Sequence, residues 1–156
     1  MKKVIVECLP DTVLMIELGV SRKRILHAGS KGRVVKNVEE GKGLGLIDED
    51  PGYPQPKTLT QYRIVENLEQ YGLKILAKDT KKIIMICPRL EEFILKACEE
   101  SSINPQKFGL ASDPDVLHRE INARIRNFKM LVRELLSVRN DRLLKLKNLI
   151  LSYVKA

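Results

Sequence analysis

The constraint that matters most is a repeated pairing of short apolar runs with acidic residues at their ends. Val4-Ile5-Val6 closes on Glu7, and Leu44 to Ile47 runs into Asp48-Glu49-Asp50. Between and after these runs lie stretches with helical periodicity, Thr12 to Leu18 and Arg33 to Glu40, each stopped by a glycine. Further short apolar runs follow at Arg24–Ala28, Leu73–Ala77 and Ile83–Cys87. Strands alternating with helices at this spacing predict an α/β layer with a mostly parallel, Rossmann-like sheet flanked by helices. Thr58 or Thr60 caps a further predicted helix that runs to Tyr71 and stops at Gly72. Pro51-Gly52-Tyr53-Pro54-Gln55-Pro56 cannot continue a helix or strand and is expected as an exposed loop.

After Pro88 the strand signals end. Glu91–Glu100 reads as a helix and 102–112 as an irregular connector. Leu117, Ile121, Ile125, Phe128, Val132 and Leu135 then form one apolar stripe, which predicts a single long helix started near Ser112 or Asp113. A last helix holds Leu143, Leu146, Leu149, Ile150 and Tyr153. The expected organisation is therefore an α/β domain over residues 1–100. A helical extension over 101–156, a helical hairpin, packs on the same unit or on a second copy of the chain.

Composition narrows the function classes. The 156 residues carry 44% hydrophobic and 31% charged side chains, which argues against disorder. No apolar run is long enough for a membrane span, and acidic residues interrupt the N-terminal one too early for a secretory signal. Three widely spaced cysteines, Cys8, Cys87 and Cys98, predict free thiols and a cytoplasmic location, and two histidines without spaced partners give no zinc signature. Of the formal charge of +8, +5 falls within residues 113–156, which points to a polyanionic partner, DNA or RNA. Aromatic residues make up only 4%, which argues against a base-stacking platform. Neither a P-loop nor a dinucleotide-binding turn is present.

The acidic residues are the candidates for chemistry. Sites in open α/β sheets form outside the carboxyl ends of the strands, where Glu7, Asp48 and Asp50 fall, with Glu91 just beyond the last strand. Residues two apart in an extended segment share a side, so Asp48 and Asp50 are expected to face together. An all-oxygen cluster suits Mg²⁺ or Mn²⁺, which places metal-assisted phosphodiester hydrolysis first among the reactions considered.

These segments in order resemble the Toprim family. Val4-Ile5-Val6-Glu7 and Leu46-Ile47-Asp48-Glu49-Asp50 are similar to its glutamate and DxD motifs. Ala28-Gly29-Ser30-Lys31-Gly32 resembles the glycine-lysine turn of its stand-alone and OLD-type branches. Cys87-Pro88-Arg89-Leu90-Glu91-Glu92-Phe93 resembles the segment after the last core strand of those nucleases. The resemblance covers about residues 3 to 97. It implies a Mg²⁺-dependent nuclease with Glu7 as general base or metal ligand, and Asp48 and Asp50 as metal ligands. It also implies that Glu91, rather than Glu92, completes the cluster, and that any coupled ATPase is a separate partner.

Lys31 is the expected contact to a scissile phosphate, and Arg89 either a phosphate contact or a structural ion pair. Arg124 and Arg126, with neighbours on the predicted long helix, are expected to track a nucleic-acid backbone. Toprim domains commonly follow their glutamate with glycine, whereas Cys8 stands here, and Pro51-Gly52 follows the DxD. These departures support an alternative: a catalytically weak or silent module that binds nucleic acid or protein. A Rossmann-like binder of a small phosphorylated ligand is the third expectation.

Overall fold

A computed structural model describes residues 2–155. Four short parallel strands position the residues of the candidate site. Strands β1 (Lys3–Val6), β2 (Ile25–His27), β3 (Gly43–Asp48) and β6 (Lys81–Ile86) pair in parallel, in the order β2-β1-β3-β6. Their carboxyl ends therefore lie along one edge of the sheet. The crossovers are made by α1 (Leu9–Glu17) and α2 (Lys31–Glu39), and α3 (Leu90–Glu100) follows β6.

The sheet is mixed, which corrects the mostly parallel expectation. Strand β5 (Leu73–Lys78) joins β6 through Asp79 and Thr80 alone, and a two-residue connection can only make an antiparallel hairpin. Strand β4 (Arg63–Leu68) pairs antiparallel with β5 and forms the edge. The helix predicted from Thr58 or Thr60 to Tyr71 does not form. Its place is taken by a 3₁₀ turn at Lys57–Gln61, strand β4 and a second 3₁₀ turn at Glu69–Tyr71. Gly72 stops that second turn, at φ 66°, rather than a helix. The run Tyr62-Arg63-Ile64-Val65 has the β-branched character that favours an edge strand, and pairing with β5 outweighs the capping signals.

The apolar residues divide between the two faces of the sheet. Val4, Val6, Leu44 and Leu46 face one side and pack with Leu14, Phe93, Phe128, Val132, Leu143 and Ile150. Ile5, Ile47 and Ile83 face the other and pack with Val34, Val35 and Val38 of α2. Helix α2 presses close on β3 because residue 45 is glycine. A Cβ there would lie 2.8 Å from Val38 Cγ2 and 3.1 Å from Val34 Cγ1.

The predicted long helix is two helices, α4 (Pro114–Glu120) and α5 (Ile125–Ser137). The apolar stripe continues through the break, since Leu117, Ile121, Phe128, Val132 and Leu135 are all buried. Arg124 leaves helical geometry there, at φ −118° and ψ 38°. Helix α6 (Asp141–Lys155) follows after a three-residue turn. Residues from α5 and α6 share one core with β1, β3, α1 and α3. Among the described residues the fold is thus a six-stranded mixed sheet with six α-helices, and no helix is long and apolar enough to cross a membrane.

Candidate acidic site

Strand alternation decides where each carboxylate goes. In β3, Leu44 and Leu46 face the side covered by α1 and α3, so Asp48 belongs to that side as well. There it meets Asp11, in the first turn of α1, and Glu91, in the first turn of α3. Asp11 and Glu91 are each only 4% exposed. Burial drives the Asp48 carboxyl well above the usual carboxylate range, and the charges of Asp11 and Glu91 push it further. The backbone N–H of Leu90 donates to Asp48 and offsets only part of this. Asp11 is raised too, mainly by burial, although the Cys8 thiol donates to its Oδ2 at 3.2 Å.

Glu7 follows β1 on the α2 side. Its carboxyl is raised by burial first and by Asp50 second, while Lys31 pulls it down by charge and by a backbone N–H. Ser30 caps α2 by accepting from the Arg33 N–H at 3.2 Å, which fixes the turn that delivers Lys31. Asp50 lies beyond the strand at φ 47°, where the extended geometry behind the DxD expectation has ended. It forms an ion pair with Lys31, Nζ to Oδ2 at 3.0 Å. Lys31 Nζ also donates to Gln55 Oε1 at 3.0 Å. The middle residue, Glu49, turns to the opposite wall and pairs with Lys74 at 2.9 Å.

Two acidic groups therefore meet at the strand ends: Asp48 with Asp11 and Glu91, and Glu7 with Asp50 and Lys31. They feel each other, since Asp50 raises Asp48 and Glu91 raises Glu7. Among the described residues, no three His, Cys, Asp or Glu side chains already stand as a ligand set for one ion.

The second group opens into a cleft of about 790 Å³, whose lining includes Tyr53 and Pro54 of the loop after β3 and His118 and Arg119 of α4. Glu7, Lys31 and Asp50 also line it. Arg89 reaches this cleft but is bound on three sides by carboxylates. It lies 2.6 Å from Glu92, 2.9 Å from Asp115 and 4.0 Å from Glu91. Glu92 is thereby turned to Arg89, while Glu91 Oε1 lies 3.1 Å from His118 Nδ1 and accepts from it in the tautomer that carries a proton there.

Arg124 and Arg126 do not line the acidic cleft. Arg126 lines a separate groove with Lys107, Lys129 and Arg133, and Arg124 sits 3.8 Å from Glu120. Asp11 and His118 escaped the sequence reading. Asp11 precedes the helix expected from Thr12, whereas α1 starts at Leu9 and takes it into the first turn; its position four residues after Glu7 was the available signal. Nothing local marks His118, because α3–α4 packing alone brings it to Glu91. The chain matches no protein-family model, no curated protein and no solved structure, so the chemistry of the site rests on these distances and charges.

Proposed function

We propose that the chain is a Toprim-like, Mg²⁺- or Mn²⁺-dependent hydrolase of nucleic-acid phosphodiesters. The observation that supports this most is the convergence of five carboxylates, Glu7, Asp11, Asp48, Asp50 and Glu91, at the ends of β1 and β3. Their burial and mutual repulsion raise Glu7, Asp11 and Asp48. An arrangement that holds like charges together out of water is costly unless protons or a cation neutralise it. The donors are all carboxylate oxygen, the chemistry that hard divalent ions prefer, so the residues fit such an ion.

Asp48, Asp50 and Glu91 would hold it, with Glu7 beside them as a further ligand or, in the step below, as the general base. When bound, the ion supplies positive charge against the diester oxygens, where negative charge develops. Glu7, with its raised proton affinity, takes the proton from the attacking water as the water oxygen bonds to phosphorus and the bond to the leaving oxygen breaks. Lys31 carries a fixed positive charge at the cleft floor and contacts the phosphate once its pair with Asp50 opens. Arg119, which lines the same cleft, anchors the neighbouring phosphate. The C-terminal helices α5 and α6, read as a helical hairpin, complete the core beneath.

Calorimetry with Mg²⁺ and Mn²⁺ tests the proposal, on the wild type and on Asp48→Ala/Asp50→Ala, followed by cleavage of mixed DNA and RNA. Saturable binding and cleavage, both lost in the variant, are expected. Cleavage that survives in the pure variant overturns the assignment. One observation favours a second reading, a silent nucleic-acid-binding module. Lys107, Arg126 and Lys129 line one groove without ion-pair partners among the described residues. Binding that persists in EDTA and weakens on Arg124→Glu/Arg126→Glu would favour it.

A further inference from the structure

Tyr53 is the most exposed large apolar side chain among the described residues, 71% accessible, and it lines the acidic cleft. Its loop is not loose. The Tyr53 N–H donates to Asp50 O at 3.2 Å, and Gln55 Nε2 donates to Glu49 O at 3.0 Å, Asp50 O at 3.2 Å and Tyr53 O at 3.2 Å. Lys31 holds the other end of the Gln55 amide at 3.0 Å. Pro54 and Pro56 restrict the remaining freedom. The backbone that carries this aromatic ring is thus held three residues from Asp50, and the ring itself stands in water in the lining of the cleft where the reacting phosphate would lie. Arg119 lines the same cleft.

We propose that Tyr53 is a stacking platform for an unpaired nucleobase, which makes single-stranded nucleic acid the substrate class of this cleft. The proposal rests on the phosphodiester-hydrolase reading of the same site. A base inside a duplex has both faces covered by its neighbours and offers none to a protein ring, whereas a base in a single strand or loop offers at least one. A cleft of about 790 Å³ falls within the range that encloses small ligands. Its lining combines one aromatic ring, Tyr53, with the cations Lys31 and Arg119 and the carboxylates Glu7 and Asp50. Those are the contacts a nucleotide base and its flanking phosphates require. The low aromatic content of the chain argued against such a platform; the structure nonetheless puts one of its few rings in the lining of this cleft.

The test is fluorescence anisotropy of a labelled oligothymidylate in EDTA, with relaxed circular duplex as unlabelled competitor. Wild type is expected to bind the oligonucleotide, with the circle competing poorly per nucleotide. Tyr53→Ala should weaken oligonucleotide binding about tenfold, and Tyr53→Phe should stay within about twofold, since stacking needs only the ring. Absence of oligonucleotide binding, equal competition by the circle, or unchanged affinity in Tyr53→Ala overturns the proposal. Adding Mg²⁺ or Mn²⁺ afterwards separates it from the hydrolase reading. Cleavage without dependence on Tyr53 removes the platform and keeps the hydrolase; Tyr53-dependent binding without cleavage does the reverse.

Discussion

Replacing Asp48 by asparagine should stabilise the metal-free protein while removing a ligand of the proposed metal site. Asp48 is raised because it is buried beside Asp11 and Glu91. A raised acid binds more protons in the folded than in the unfolded chain, so its contribution is most favourable at low pH. That contribution is lost as pH climbs from the ordinary carboxylate range, near 4, through the raised folded value. Each pH unit within that window costs about 1.4 kcal/mol, so a carboxyl kept protonated at about pH 8 costs at most about 6 kcal/mol.

Asp11 and Glu91 stay behind in the variant and keep part of the strain. The asparagine side chain is nearly isosteric with aspartate, can still accept from the Leu90 N–H, and its amide donates toward the remaining carboxylates. We expect a gain of about 2 kcal/mol at about pH 8 and near zero at about pH 4, equivalent to about 4–8 °C in Tm at the higher pH. Thermal and urea unfolding of both proteins in EDTA at the two pH values measures this. Excess MgCl₂ should then raise the wild-type Tm and leave that of Asp48→Asn unmoved. A variant less stable than wild type at the higher pH, or one that gains equally at both, refutes the electrostatic account.

Two other substitutions probe different parts of the same assembly. Lys31→Ala removes the ammonium that competes for Asp50, so calorimetric Mg²⁺ affinity should rise about fivefold, the equivalent of about 1 kcal/mol, while cleavage slows. Weaker Mg²⁺ binding in that variant would show that Lys31 organises the carboxylates instead of occupying them. Gly45→Ala should cost about 2 kcal/mol in urea unfolding, because the added Cβ meets Val38, Val34 and Ile83 on a helix and strand that cannot both yield. A loss below about 0.5 kcal/mol would mean α2 lifts off the sheet easily.

The legible parts of the fold were those whose periodicity is set by burial. Val4–Val6, Leu44–Ile47 and Ile83–Ile86 are buried β-branched or leucine-rich runs, and they are strands. Strand β4 gave no such signal because all of Arg63–Asn67 is exposed, and an edge strand without a buried face has no alternation to read. The break between α4 and α5 was hidden for the opposite reason. The buried face runs on through Ile121, so the apolar stripe looks like one helix although the backbone is interrupted. At the site, Glu7, Asp48 and Asp50 were visible because local sequence puts them after strands. Asp11 and His118 were not, since their importance comes from which helices pack together.

The seat of α2 on Gly45 has a consequence for how the chain can vary. Val34 and Val38 lock the helix to β3 in rotation as well as in height, and Lys31 is carried on its first turn. A single residue inserted between Lys31 and Val34 would swing the ammonium about 100° around the helix axis and away from Asp50. One added after Glu39, in the turn before β3, would leave it in place. Length changes are thus forbidden on one side of two valines and tolerated on the other, so the helix behaves as a keyed shaft whose notch lies in the strand.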